Sequence, residues 1–214
     1  MIKSLLHFNN PDNLAKDSIR DISWTVNGTI ASSPDGKFGK CLSLSSNGYL
    51  QNNTIDLSLD KSWTLDMWFF ASSLRIQSPF SIASYSSPRK GIFIENGDLY
   101  LGLLNNSWAH FDLGLPVNRW IHFALVNNAS TIYAFVDGTE KIKRTNKDIV
   151  LHTTPEILIG TDRTITTLFN GLIDEFRISD EALWISDFTP PTHETSLSKY
   201  IYINKNNTVM GMKE

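Results

Sequence analysis

The chain has one cysteine, Cys41, in 214 residues. A lone thiol excludes an intrachain disulfide framework, and its place in the alternating segment Cys41-Leu42-Ser43-Leu44 predicts a buried, inert thiol. No apolar run approaches the roughly 20 residues of a membrane-spanning helix, which argues against a membrane partner. No long basic run occurs either, and the formal net charge is -3. The electrostatic footprint of a nucleic-acid-binding protein is therefore missing. Met1-Ile2-Lys3-Ser4-Leu5-Leu6 shows no apolar signal-peptide core and no small-residue cleavage site, so we expect a complete product made in a cytoplasm without a signal peptide. Catalytic signatures are absent as well. There is no Gly-rich phosphate loop and no serine-nucleophile elbow, and none of the five histidines has zinc-ligand spacing to another or to Cys41.

What the chain does have is short apolar runs broken by turn chemistry. Asn9-Asn10-Pro11-Asp12, Asn27-Gly28, Pro34-Asp35-Gly36 and Asn47-Gly48 punctuate the first quarter, a pattern of sandwiches or barrels rather than helices. Trp63, Leu65, Met67, Phe69 and Ala71 share one strand face and predict core, with Thr64, Asp66, Trp68 and Phe70 on the other. A strand is expected near Phe80 to Ala83. Asn96-Gly97 between alternating apolar runs predicts a hairpin that packs Ile92 and Ile94 with Leu99, Leu101 and Leu103. The hairpin from Trp120 to Val136 is apolar on both faces and should sit centrally, with His122 as a hydrogen-bonded core residue. Lys141-Ile142-Lys143-Arg144 alternates as a basic edge that blocks edge-to-edge pairing, and it is the patch to test against an acidic polysaccharide. Glu156 to Gly160 predicts a short strand.

Phe169 to Trp184, FNGLIDEFRISDEALW, combines a turn, a strand and an acidic pair. A period of two puts Leu172, Asp174, Phe176 and Ile178 on one face, so Asp174 is expected on the apolar side, where a carboxylate must be paired, hydrogen-bonded or metal-bound. Ser179 before Asp180 and Glu181 has the form of an N-cap opening a short helix that carries Leu183 and Trp184. Pro190-Pro191 then begins a linker, and residues 199–212 have the pattern of an extra C-terminal hairpin.

Two places suit a ligand. Asp66 and Trp68 would lie together on an open concave face, the ring stacking on sugar C–H bonds and the carboxylate accepting hydroxyl hydrogen bonds; the alternative is that both are structural. Trp108 follows Asn105-Asn106-Ser107 in a polar loop as a second platform, or as a lid on the sandwich edge.

Leu5-Leu6-His7-Phe8 with Asp17-Ser18, Phe38-Gly39-Lys40 before Leu42-Ser43-Leu44, Trp63 to Phe69, Asn118 to Val126 with Tyr133 to Gly138, and Ile159-Gly160 before Phe169 to Trp184 occur in one order over residues 5 to 191. Together they resemble laminin-G-like domains of the concanavalin A-like lectin/glucanase superfamily, many of which occur in bacteriophage tail proteins. The resemblance implies an all-β, antiparallel jelly-roll sandwich over residues 1–188, with one short helix after the last core strand and a linker and hairpin over 189–214. It also implies calcium as a possible cofactor, with Asp17 and Asp174 as the candidate ligands. Enzymatic members place acids as Glu-x-Asp-x-x-Glu, since two carboxyls must flank one glycosidic bond. This chain lacks that pattern, so we expect no enzyme. The expected function is a non-catalytic, virion- or tail-associated adhesin for a cell-surface glycan. The alternative is a structural decoration or assembly protein whose residues 199–212 dock on other virion subunits.

Overall fold

A computed structural model describes residues 1–19, 21–45, 47–75, 77–83 and 91–197. Fifteen strands form among them: β1 (Ile2–Leu6), β2 (Thr25–Asn27), β3 (Ile30–Ser33), β4 (Cys41–Leu44), β5 (Tyr49–Asn52), β6 (Trp63–Phe70), β7 (Phe80–Ala83), β8 (Gly91–Glu95), β9 (Asp98–Gly102), β10 (Trp108–Asp112), β11 (Trp120–Asn128), β12 (Thr131–Val136), β13 (Thr139–Thr145), β14 (Glu156–Ile159) and β15 (Gly171–Ser179). An eight-stranded sheet runs β13-β12-β11-β6-β15-β4-β3, with β1 also pairing β15. A seven-stranded sheet runs β10-β9-β8-β7-β14-β5-β2. Every pairing is antiparallel, and the sheets face each other across one apolar core.

Alternation builds that core. Trp63, Leu65, Met67 and Phe69 of β6 point inward beside Ile121, Phe123 and Leu125 of β11, and meet Phe80, Ile82, Ile92, Ile94, Leu99 and Leu101 of the other sheet. The two-residue turn at Asn96-Gly97 has positive φ at both positions (54° and 89°), the conformation whose twist suits a hairpin, and it sets Ile94 opposite Leu99. The basic stretch over residues 141–144 lies in β13, at the edge of the eight-stranded sheet. Cys41 is fully buried, and burial pushes its thiol up to about 11. Gly171 opens β15 through close approach: a Cβ there would lie 2.3 Å from the Phe70 carbonyl oxygen.

Three expectations are corrected. Trp108 opens β10 rather than lying in a loop, because Asn105-Asn106-Ser107 is itself the turn, closed by Ser107 O accepting from Leu103 N at 3.0 Å, and β10 then pairs with β9. Asp174 is on the outer face of its sheet. A bulge between Asp174 and Arg177, with Glu175 at φ 50°, inserts one residue and breaks the period of two, so Ile173, Phe176 and Ile178 are the inward set. Third, no helix follows β15; the described residues contain no helix at all. Asp180 and Glu181 bind the Met1 ammonium, Asp180 also binds Lys3 at 2.8 Å, and the Thr64 hydroxyl takes Leu183 N at 3.0 Å while donating to Glu181 O at 2.7 Å. A short helix carries a costly nucleus for few hydrogen bonds, and these fixed contacts hold the chain extended instead. Residues 180–197 thus form a strap across the outer face of the eight-stranded sheet. The hairpin expected over residues 199–212 lies outside the described residues.

Candidate functional site

The outer face of the eight-stranded sheet carries Asp66, Trp68, His122 and Arg177 on adjacent strands. Arg177 grips Asp66 with both arms, Nε to Oδ1 at 2.8 Å and Nη2 to Oδ2 at 2.9 Å, and His122 Nε2 lies 3.2 Å from Oδ2. Burial opposes the Asp66 charge, but Arg177 and His122 outweigh it and hold the carboxyl below its ordinary range. The strap closes over this cluster. Trp184 and Phe188 stack on each other at 4.0 Å, both set their rings edge-on to His122 (5.7 and 5.8 Å), and the Arg177 guanidinium sits 5.5 Å from the Trp184 ring. Phe188 N donates to Gly138 O at 2.9 Å, and a Cβ on Gly138, already at φ 79°, would strike the Phe188 carbonyl oxygen at 1.8 Å. Farther along, Thr195 N donates to Glu175 Oε2 at 2.7 Å, while the other oxygen of Glu175 binds His7, whose pKa that contact raises. Trp68 is 6% exposed, under the Lys37 ammonium at 4.0 Å and the edge of Phe38. Asp66 and Trp68 are thus brought together as expected, but in a sealed interior cluster and not on an open face.

Asp17 and Asp174 have separate sets of partners. Asp17 Oδ1 accepts from Leu5 N (3.0 Å) and Ile19 N (2.7 Å), and Oδ2 from the Ser4 hydroxyl and Trp24 Nε1 (3.1 Å). Asp174 accepts from Phe38 N and Glu175 N, each at 2.9 Å. Burial first, and then the charge of Glu175, lifts the Asp174 pKa to about 7 against those N–H donors. The two carboxylates thus spend their oxygens on separate sets of protein donors, whereas a calcium ion needs charged oxygens converging on one point. Among the described residues no group of three or more His, Cys, Asp or Glu side chains is placed to hold a metal.

The outer face of the seven-stranded sheet differs. Its register lines up Phe93, Tyr100 and His110 on β8, β9 and β10. Phe93 and Tyr100 stack at 5.0 Å, His110 stacks on Tyr100 at 5.7 Å, and Trp108 sets its edge to Phe93 at 5.3 Å. Tyr100 and Trp108 are half-buried, and the His110 side chain is 65% exposed. Asp98 Oδ2 lies 3.6 Å from His110 Nδ1. Burial, then Asp98 and Glu95, raises the Tyr100 pKa. The loop between β14 and β15 lays Arg163 over Trp108 at 4.9 Å, and Thr167 of that loop donates its hydroxyl to Glu95 at 3.3 Å. Such a partly wet aromatic row with carboxylates at one end and a guanidinium at the other can stack on sugar rings and bind hydroxyls. Trp108 was singled out from the sequence; Tyr100, His110 and Arg163 were not. The Asn96-Gly97 turn held the signal, since a two-residue loop that pairs Ile94 with Leu99 also pairs Phe93 with Tyr100.

Residues 44–185 match the laminin-G-like family model described as the concanavalin A-like lectin/glucanases superfamily. No curated protein matches the chain. Among solved structures, domain 4 of AbnA, a GH43 extracellular arabinanase from Geobacillus stearothermophilus solved with arabinotriose, superposes with a TM-score of 0.69 at 23% identity over 86% of this chain and 94% of that one. The botulinum neurotoxin serotype D binding domain gives a TM-score of 0.62 at 17% identity over 86% of this chain and 49% of its own. The botulinum neurotoxin DC binding domain, solved with rat synaptotagmin II, gives 0.63 at 15% identity with the same coverage. The chain spans about half the length of these toxin domains. At such identities the likeness is one of fold.

Proposed function

The chain belongs to the concanavalin A-like lectin/glucanases superfamily, and from that premise we propose that it is a non-catalytic binding module for a glycan. The carrying observation is the Phe93–Tyr100–His110 row with Trp108 beside it, on a sheet face that leaves three of the four rings partly open to solvent. Aromatic faces bind sugars by burying C–H surface, and the flanking carboxylates of Glu95 and Asp98 can accept hydroxyl hydrogen bonds. The non-catalytic reading is supported by the missing Glu-x-Asp-x-x-Glu pattern and by Asp66, whose oxygens are held by Arg177 and His122. An arabinanase domain of like fold solved with arabinotriose gives the sugar reading a parallel. The setting proposed with it is a virion tail or surface appendage and a cell-surface glycan, supported by the resemblance to phage tail-protein domains.

The test is a glycan array of the full chain beside Trp108→Ala and Tyr100→Ala. Binding that either variant reduces tenfold or more, with an unchanged thermal midpoint, is the expected outcome. No binding on an array containing bacterial surface polysaccharides would overturn the reading in favour of a structural virion protein, as would binding that both variants retain.

A further inference from the structure

Arg163 enters the ring row from a rigid loop. Asp162 beside it turns its carboxylate back on the loop, accepting from Thr164 N at 3.0 Å and from Thr166 N and Thr167 N at 2.7 Å each. That carboxylate is therefore occupied, and it fixes the backbone from which Arg163 extends. The Arg163 guanidinium lies 4.9 Å from the Trp108 ring centre and 5.8 Å from that of Phe93. Its Nε is buried without a hydrogen-bond partner, and no carboxylate among the described residues pairs with it. Other cations are engaged. Arg144 is held by both oxygens of Asp148 at 2.7 Å, Lys143 lies over Tyr133, and Arg119 pairs with Asp137 at 2.6 Å. The basic edge singled out for testing against an acidic polysaccharide is thus in part neutralised by the protein itself, while Arg163 keeps its guanidinium on the aromatic face.

A guanidinium presents five N–H donors in a planar fork that fits a carboxylate or sulfate, and stacking on an indole pre-orders that fork. We infer that the ring row selects glycans carrying an anionic group, a carboxylate or a sulfate ester, and that Arg163 is the residue that reads it. The inference rests on the reading above that this row binds a glycan. Asp98 lies at the hairpin turn, four residues along β9 from Gly102, the partner of Trp108, and its charge disfavours an anion there. The anionic group therefore sits at the Trp108 end, and this polarity fixes the direction in which a saccharide lies.

The experiment measures, by calorimetry, the affinity of the full chain for an oligo-uronate, its carboxyl-reduced neutral counterpart, and that counterpart O-sulfated. At least one anionic form should bind about tenfold or more tightly than the neutral one, and whichever does so identifies the group. Arg163→Gln should narrow that gap to within about threefold, and Arg163→Lys should restore part of it, since it returns the charge without the fork. Equal affinities for all three saccharides, or a gap that survives Arg163→Gln, would overturn the anion assignment and leave glycan binding by the row standing. Failure of all three to bind, or binding that survives Trp108→Ala, would overturn the row itself and the inference with it.

Discussion

The two outer faces of this sandwich hold similar residue types in opposite conditions. The eight-stranded sheet presents Asp66, Trp68, His122 and Arg177; the chain later lays Trp184 and Phe188 over His122 and Arg177, which hold Asp66, while Lys37 and Phe38 cover Trp68. The seven-stranded sheet presents Phe93, Tyr100, Trp108 and His110 with Glu95 and Asp98, and leaves most of them partly open to solvent. A carboxylate beside a tryptophan is therefore not a binding signature in itself. On the first face the charge is matched by a guanidinium and an imidazole and is structural; on the second, rings and acids remain within reach of a ligand. What decides between them is a segment more than a hundred residues later in the chain than Asp66.

The largest way to break this comparison is Asp66→Ala. It removes a buried carboxylate that Arg177 grips with both arms and His122 touches, a loss of about 3–5 kcal/mol by urea unfolding. Adding Arg177→Met to Asp66→Ala should recover part of that loss, because an apolar pair replaces a half-broken ion pair. Neither change should alter glycan affinity under conditions where the protein stays folded. A loss below about 1 kcal/mol would mean that the cluster is as accessible as the ring row, and the contrast would fail.

Much of the fold was legible because it follows from a period of two. Trp63 to Phe69, the Asn96-Gly97 hairpin and the doubly apolar Trp120 to Val136 hairpin each combine strong alternation with unambiguous turn chemistry. The errors come from features that alternation does not encode. One extra residue at Glu175 reverses the facing of every residue on one side of it, and a bulge has no required residue type to announce it. Ser179-Asp180-Glu181 has the composition of a helix start, yet its carboxylates found the Met1 ammonium and Lys3, partners distant in sequence. The strap that seals Asp66 is likewise a tertiary event. Open strand faces can be read from sequence as candidates; which one is later covered cannot.

A smaller effect sharpens the contrast through pH. Burial on the sealed face lifts Asp174 from an ordinary 3.8 to about 7. Between roughly pH 4 and 7 the folded chain therefore holds a proton that the unfolded chain releases, so this group makes stability fall as pH rises through that window. Asp174→Asn keeps an acceptor for one N–H and removes the charge. It should raise stability by about 2 kcal/mol at pH 8 and change it little near pH 4. Denaturant unfolding of both proteins at the two pH values checks it, and a gain of equal size at both would show that burial of the charge is not its cause.

The smallest effect on stability is expected where the face is open. His110 ends the ring row on the edge strand β10, with its side chain 65% exposed and one ring face covered by Tyr100. Truncation there uncovers little apolar surface and leaves no buried group without a partner, so His110→Ala should shift unfolding stability by less than about 0.5 kcal/mol. If the row is a sugar platform, the same variant removes its outermost ring and should weaken glycan affinity by about three- to tenfold, since one lost stacking contact is of that order. A loss of stability above about 1 kcal/mol together with intact binding would show the row to be packing, as the Asp66 cluster is. The two faces would then no longer differ in kind.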